Sequence, residues 1–331
     1  MTALALLAPL VAVAVAAIVL HWLLGAGRTK MALDQPNHRS LHAVAVPRSG
    51  GLAVMAGSLA ALACIDLPER VPLLAALSVL VGISVADDFR SLSAAVRFAV
   101  HFLVAGAFAA WLLPSHVGWP FALAAVPIMV WMTNLYNFMD GSDGLAGGMA
   151  VFGFGTLAAS AAWSGDAGLA LLCASIVGAA LAFLRVNWHP ARIFMGDSGS
   201  IPLGFAASAI SLSGVVRDTW PWWLPVLAFS LFIADASVTL ARRALRGERV
   251  WLAHRTHYYQ RMVRMGLGHA RTARLCYGAM AASGISAIWA LHACPQWGVG
   301  LLLLWVIIYA LLAVAVDRRW RRFESTVVSG N

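Results

Sequence analysis

"FAVHFLVAGAFAAWLLPSHVGWPFALAAVPIMVWMTNLYNFM", residues 98–139, runs 42 positions without a Lys, Arg, Asp or Glu. A membrane helix needs about 20 apolar residues, so this run is long enough for two. "LPSHVGWP" near its middle supplies the polar and proline-bearing break that folds it into a hairpin. A second charge-free run, 275–316, is broken in the same way by "ACPQWG". The runs lack two-residue alternation, which points to helices rather than a barrel, the other structure that satisfies its backbone in hydrocarbon.

The whole chain agrees with this reading. Of its 331 residues, 61% are hydrophobic and 11% charged, with a mean hydropathy of +0.80. Soluble domains carry roughly 25% charged residues. The expected fold is all-α and polytopic, a single integral-membrane domain over 1–331. About eleven spans are expected, with ten as the alternative count: 3–25, 49–66, 71–86, 95–113, 119–138, 145–163, 167–185, 200–216, 221–241, 275–293 and 296–316. The first span lacks a basic flank before it, since Arg28 and Lys30 follow it, which argues against a cleaved signal peptide.

Basic residues favour the cytoplasmic side of membrane proteins. With the N-terminus periplasmic and the C-terminus cytoplasmic, 21 of the 23 Lys and Arg residues fall inside, and only Arg70 and Arg217 fall outside. The expected location is therefore a bacterial inner membrane, multi-pass, with a basic cytoplasmic loop at 242–274. The net charge of +9 suits lipid head groups and phosphorylated substrates. No separate basic domain exists to bind nucleic acid. The four cysteines, Cys64, Cys173, Cys276 and Cys294, are scattered singly, and read as apolar fillers without a disulfide or zinc site.

The first hydrophobic run ends on "NFMDGSDGLAGG", 137–148. Asn134, Asn137, Asp140 and Asp143 recur every three residues, a row that edges one side of an unwinding helix end. One capping turn accounts for one such residue, but not for four. Asp and Asn offer the hard oxygen ligands that Mg²⁺ takes. "FMGDSGSIPLG", 194–204, adds Asp197 between glycines, with Ser198 and Ser200 placed to cap the next helix. A helix N-terminus favours phosphate, and a Mg²⁺ between it and Asp197 turns repulsion into attraction. Asp87 and Asp88 end the third span. The stretch 253–269 holds His254, His257, Arg255, Arg261 and Arg264, better suited to an anion than to zinc. The loop 34–51, with Arg39 and Arg48, binds either phosphate or lipid head groups. Asp235, inside the ninth span, is either functional or a hydrogen-bond partner for a neighbouring helix. Asp166 lies on the expected outer face, where Asp166→Asn is expected to be close to neutral for activity.

These motifs, "DQPNHRSLH…PRSGG", "ADDFRSLS" followed by Arg97, "NLYNFMDGSDGLAGG", "FMGDSGSIPLG" and the 254–260 loop, stand in the order seen in the polyprenyl-phosphate N-acetylhexosamine-1-phosphate transferases of glycosyltransferase family 4, which the chain resembles over nearly its full length. The resemblance implies Mg²⁺-dependent (or Mn²⁺-dependent) transfer of a sugar 1-phosphate from a UDP-N-acetylhexosamine to undecaprenyl phosphate, releasing UMP. By motif, it makes Asn137 and Asp197 metal ligands and Asp87, Asp88, Asp140 and Asp143 catalytic. Asn134, Arg48, His254, Arg255, His257, Gly196 and Ser198 become substrate-binding. Tyr258 and Tyr259 stand where many members carry further histidines, and Ala45 replaces a common proline. "HRTHYYQR" is similar to a branch that starts O-antigen chains and uses N-acetylated 6-deoxyhexosamines; N-acetylglucosamine is the alternative sugar. A homodimer is compatible with such a chain. The competing readings are a flippase for a lipid-linked sugar, which would place its site near the midplane between repeats, and a metal-dependent nucleotide-sugar hydrolase.

Overall fold

The structure is a computed structural model that describes residues 3–25, 33–34, 45–250, 252 and 254–329. Arg28, Lys30 and Arg39, and most of the 34–51 loop, lie outside the described residues. Among the described residues, eleven long helices carry the fold: α1 Ala8–Leu24, α2 Gly50–Cys64, α3 Arg70–Arg90, α4 Ala94–Leu112, α5 Trp119–Phe138, α6 Leu145–Trp163, α7 Ala167–Asn187, α8 Asp197–Val216, α9 Ser230–Leu245, α10 Gly268–Ala293 and α11 Gly298–Ser329. Ten of the eleven expected spans coincide with one of them each. Eight helical segments are long and apolar enough to cross a membrane, and α1 and α2 are shorter apolar helices. The chain is an all-α polytopic membrane protein.

Both hairpins form at the expected breaks. Pro114–Val117 and a positive-φ Gly118 turn the chain between α4 and α5. A short 3₁₀ turn, Pro295–Trp297, does so between α10 and α11. The ninth span differs: a separate short helix, Trp223–Ala228, precedes α9, and the two meet at Phe229. The 242–274 segment is helical at both ends and carries another short helix, Tyr258–Met262. Val46–Pro47 pairs antiparallel with Leu33–Asp34, the one strand pair among the described residues.

Small residues decide which helix is central. In lipid, helices associate by close packing rather than by escape from water. In α8, 78% of the apolar window is buried, and in α11 only 6%. A side chain at Gly204 of α8 would press on the Met132 carbonyl and Thr133 of α5, and one at Gly51 of α2 would strike Gly199 of α8. Several hydroxyls inside the spans bond within their own helix, as in Ser58 to the Val54 carbonyl, Ser84 to Leu80 and Thr133 to Met129.

The two ends of the bundle carry different electrostatics. α3 runs 21 residues, about 30 Å, from Arg70 beside Glu69 to Arg90 beside Asp87 and Asp88. At the Glu69 end, Arg217 reaches Glu69 at 3.0 Å and Asp166 at 2.9 Å. Asp166 also accepts from Thr219 and from the Leu169 amide that it caps. Asp166 is 10% exposed and joins the start of α7 to the end of α8. Both basic residues left outside by the charge count are paired with acids, Arg70 with Asp66 at 3.9 Å. Asp166→Asn keeps the cap but removes the charge facing Arg217. It should lower stability by about 1–3 kcal/mol, as for a lost hydrogen bond to a charged group. A thermal unfolding series in detergent, with Asp66→Asn as the exposed control, measures it. An unchanged midpoint would show that the triad is ornamental.

Candidate functional site

At the other end, the motif loops are tied together by backbone hydrogen bonds. The Phe194 amide donates to the Pro47 carbonyl, Gly50 donates to Phe194 and Gly51 to Met195. Gly196 lies at φ +69°, and a Cβ there would collide with the Arg48 carbonyl oxygen. Only glycine accommodates both the turn and this approach. The sequence "PRSGG" is thus laced to "IFMGD", which places Arg48 beside the start of α8.

Charged groups from four elements meet on this lacing. Arg48 lies 2.9 Å from Asp88. Asp87 accepts from Arg97 at 2.9 Å and from the Leu92 amide at 2.7 Å, a bond that shapes the α3–α4 turn. The same Arg97 nitrogen lies 3.6 Å from Asp197. Asn137 donates to Asp197 at 2.8 Å and to Ser200 at 2.9 Å. A carboxylate only accepts, so the amide edge turned to Asp197 is the NH₂ edge. Asp140 accepts the Gly196 amide at 3.1 Å. Asp87, Asp88, Arg48, Arg97, Asn137, Asp140, Gly196 and Asp197 therefore form one connected cluster.

The row of four polar residues does not share one ligand; it fans out. Asn137 and Asp140 turn to the 196–197 segment. Asn134 donates to the Val130 carbonyl and lies 3.4 Å from His101. Asp143 is 7% exposed, and accepts from His189 at 2.6 Å and from the Ala191 amide at 3.2 Å. His269 stacks on His189 with 5.2 Å between ring centres, and lies 3.8 Å from Asp143. Asp143 belongs to this second network, not to the acid–arginine cluster. Ser198 and Ser200 do not cap α8; Gly196 stands at the N-cap position and no side chain bonds there. Ser200 is in the first turn and donates to the Gly196 carbonyl. Ser198 is 1% exposed with its hydroxyl unpartnered among the described residues, so as it stands it offers no contact to a soluble ligand.

The 254–260 loop joins the cluster through two aromatic residues. Tyr259 donates to the Phe138 carbonyl at 3.0 Å, and the His257 ring stacks on Phe138. Asp235 settles its own open question. It accepts the Tyr258 and Tyr259 amides at 2.9 and 3.0 Å, and lies 3.2 Å from the His257 Nδ1. It is a helix-capping partner from a neighbouring helix that roots the loop. The loop's tip is different: His254 is half-buried, and the Arg255 side chain has no ion pair among the described residues. Burial pulls the His254 imidazole down to about 4, with His257 and Arg243 adding to the effect. Its Nδ1 accepts from Thr256, so neutral His254 carries its proton on Nε2, and the positive charge at the tip is that of Arg255.

Among the described residues, no group of three or more His, Cys, Asp or Glu side chains is arranged to hold a metal ion. Mg²⁺ asks for less protein, one or two carboxylates completed by water and substrate phosphates. Both described bonds of Asn137 leave from its nitrogen, so its amide oxygen is uncommitted beside the Asp197 carboxylate. That donor set fits Mg²⁺ or Mn²⁺.

Sequence reasoning assigned no role to several residues that the geometry makes central. Arg97 carries two of the cluster's ion pairs. Asn187 accepts the Gly144 amide and donates to the Ile193 carbonyl, clamping one motif loop to the other. Tyr277 holds the Gly144 carbonyl at 2.6 Å. Of these, only Arg97 has a local signal, an arginine one short turn after the "DD" pair.

A polytopic helical bundle with such a cluster on laced loops at one end has the architecture of a membrane transferase. The comparisons identify which. Residues 71–215 match Glycosyl transferase family 4. The chain is 30% identical over 263 residues, 74% of each chain, to a probable undecaprenyl-phosphate N-acetylglucosaminyl 1-phosphate transferase of Bacillus subtilis. It is 26% identical over 314 residues to the undecaprenyl-phosphate alpha-N-acetylglucosaminyl 1-phosphate transferase of Escherichia coli K12, covering 87% of this chain and 84% of that one. It is 28% identical over 304 residues to a decaprenyl-phosphate N-acetylglucosaminephosphotransferase of Mycobacterium leprae, covering 74% and 73%. The chain belongs to Glycosyl transferase family 4.

The low pKa of His254 makes a pH prediction. An unfolded chain takes up the proton near 6.5 and the folded loop only near 4, so this group's stabilising contribution is full above about pH 6.5. It is lost as pH falls towards 4. His254→Gln should therefore flatten the fall in thermal midpoint between pH 7 and pH 4.5. An identical slope in both proteins would mean that His254 is not desolvated.

Proposed function

We propose that this protein transfers an N-acetylhexosamine 1-phosphate from a UDP-sugar to undecaprenyl phosphate at the cytoplasmic face of the bacterial inner membrane. UMP is released, and the step begins an O-antigen or related envelope glycan. The observation that carries the proposal is the cluster in which Asp87, Asp88, Asn137, Asp140 and Asp197 meet Arg48 and Arg97 at one end of the bundle. A site there is open to a lipid in the bilayer and to a soluble nucleotide together. The relatives' names supply the substrate class, and the "HRTHYYQR" loop supplies the 6-deoxy N-acetylhexosamine as first choice of donor over N-acetylglucosamine.

An acceptor phosphate oxygen attacks the β-phosphorus of the donor. The bond from that phosphorus to the bridging oxygen breaks, and UMP departs with the oxygen. A phosphate monoester has a second pKa of about 6, so the acceptor is a ready nucleophile near neutral pH and needs no strong base. Phosphoryl transfer rests on alignment and charge neutralisation. Arg48 and Arg97 draw in the acceptor phosphate, while Asp87 and Asp88 hold those guanidiniums in place. Arg255, on the rooted loop, meets the donor diphosphate, and neutral His254 can donate to it through Nε2. Asn137 and Asp197 would hold Mg²⁺, whose charge offsets that of the diphosphate and the leaving UMP. A flippase would need its site at mid-membrane between repeats; Asp235, the acid inside the ninth expected span, is instead engaged by the Tyr258 and Tyr259 amides at the root of the 254–262 segment.

Purified protein given undecaprenyl phosphate and a panel of UDP-sugars should yield UMP and lipid-linked sugar phosphate in equal amounts. UMP without lipid product would establish the hydrolase instead. EDTA should abolish turnover, with Mg²⁺ or Mn²⁺ restoring it. Asp197→Asn and Asn137→Ala should lower turnover roughly 10²–10⁴-fold, the loss expected when Lewis-acid stabilisation of several kcal/mol goes. Full activity of Asp197→Asn, or activity that survives EDTA, would remove the metal assignment.

Orientation has its own test. On a cysteine-free background, cysteines at Ser115 and Gln296 should react with an impermeant thiol reagent on spheroplasts, while Ser93 and Thr256 positions react after the membrane is opened. Labelling of Thr256 from outside would invert the topology.

A further inference from the structure

A second basic site lies beside the first. A cavity of about 540 Å³ is lined by Arg242, Arg243 and Arg246 at the end of α9, Arg261 and Arg264 near the short 258–262 helix, and Asp317, Trp320, Arg321 and Glu324 on α11. The volume falls within the range of ligand pockets, about 300–1,000 Å³. Six arginines face two acids, and the acids do not neutralise them. Asp317 is shared by Arg242 at 2.6 Å and Arg261 at 2.7 Å. Arg243 is held by Glu248 at 2.7 Å and by the Leu252 carbonyl at 3.2 Å. Arg264 lies over the Trp320 ring at 4.7 Å. Arg246, Arg264 and Arg321 have no ion pair among the described residues.

This cavity shares no residue with the acid–arginine cluster, and Thr256 of the 254–260 loop lines its edge. Adjacent residues of the 258–262 helix point about 100° apart. Tyr259 faces the cluster through Phe138, whereas the Tyr258 ring lies against Arg261 at 4.1 Å and Arg242 at 5.6 Å. The cavity adjoins Tyr258, on another face of that helix.

Its surroundings select the ligand. Below Asp317, α11 exposes Val306, Ile307, Leu311, Leu312 and Val314, the lipid-facing surface of a spanning helix. At the rim, Leu245 is 88% exposed next to Arg246. A large apolar side chain so bare beside a free arginine suits the interface between head groups and acyl chains, where apolar groups dip and cations meet phosphate. Arg318, Arg319 and Arg322 continue the basic surface on α11, all exposed. Basic pockets between spanning helices at the cytoplasmic surface recognise anionic head groups. We propose that this cavity binds the phosphodiester head group of an anionic phospholipid, its acyl chains running down the exposed face of α11. The Tyr258–Met262 helix, packed between this cavity and the donor loop, then places a lipid sensor one helix away from catalysis.

The test uses the full chain in detergent, with native mass spectrometry of bound lipid. Arg246→Gln/Arg321→Gln removes two exposed cations that belong to neither the cluster nor the loop tip. Wild-type protein should bind phosphatidylglycerol at least 5-fold more tightly than the double variant, with phosphatidylcholine binding equal in both. The two proteins should unfold at the same temperature, which separates binding from folding. Inorganic pyrophosphate at millimolar concentration should not displace the bound phosphatidylglycerol. Equal phosphatidylglycerol affinity in the two proteins would overturn the proposal and reduce the cavity to a solvated charge patch. Displacement by pyrophosphate would overturn it in favour of a soluble polyanion. Neither readout depends on the transferase reaction, so failure here leaves the proposed function standing.

Discussion

The hydrogen bonds from Asn137 to Asp197 and Ser200 hold the end of α5 against the start of α8. Everything else at that end of the bundle is arranged about this join. With Asp197 fixed, Gly196 is presented to Asp140, and the Arg48 carbonyl closes over Gly196. Arg97, reaching Asp197 and Asp87 with one nitrogen, then brings the α3–α4 turn to the same point. The join also spends only the nitrogen side of the amide. It leaves the Asn137 amide oxygen without a hydrogen-bond partner among the described residues.

A cluster so rich in carboxylates is an odd place to receive two phosphorylated substrates unless cations balance it. Arg48 and Arg97 supply part of that balance, and each is paired to an aspartate rather than left free. The pairing has a physical consequence. A bare guanidinium at the lipid surface would bind any head group, because phosphate is abundant there. An arginine already held by Asp87 or Asp88 yields only to a ligand that offers more than one phosphate oxygen or a companion cation. Selectivity against ordinary lipid can thus arise from the acids as much as from the bases. The α9–α11 cavity shows the opposite arrangement, with Arg246, Arg264 and Arg321 uncompensated.

The fold was legible because hydrocarbon imposes a rule that sequence records directly: charge-free runs, their proline-bearing breaks and the basic flanks identified every long helix. The break at Phe229 was not legible, since an apolar chain interrupted by neither glycine nor a charge shows no period change. At the site, residues whose partners lie in another motif were found, because the motifs themselves are unusual in a membrane chain. Residues whose meaning depends on a distant partner were not. Asp143 reads as one more acid of that cluster until His189, 46 positions on, and His269, 126 positions on, are placed beside it. Asp166 looks idle until Arg217 folds back to it. Ser198 looks like a phosphate ligand by neighbourhood, yet one step around the helix from Asp197 turns it into the packing.

Asp235 shows how a membrane interior can serve chemistry without taking part in it. An acid buried at the end of a span is costly unless its charge is satisfied, and here two backbone amides and one imidazole satisfy it. Those donors belong to the root of the 254–262 segment, so the cost of burying the carboxylate becomes the force that holds the root. Tyr259 and Phe138 then fix the root's distance from Asn137. Only His254 and Arg255, beyond the last of these contacts, remain open to a ligand. A loop fixed at one end and open at the other can close on a diphosphate without disturbing the helix join beneath it, because the contacts that define the join and those that define the root share no residue.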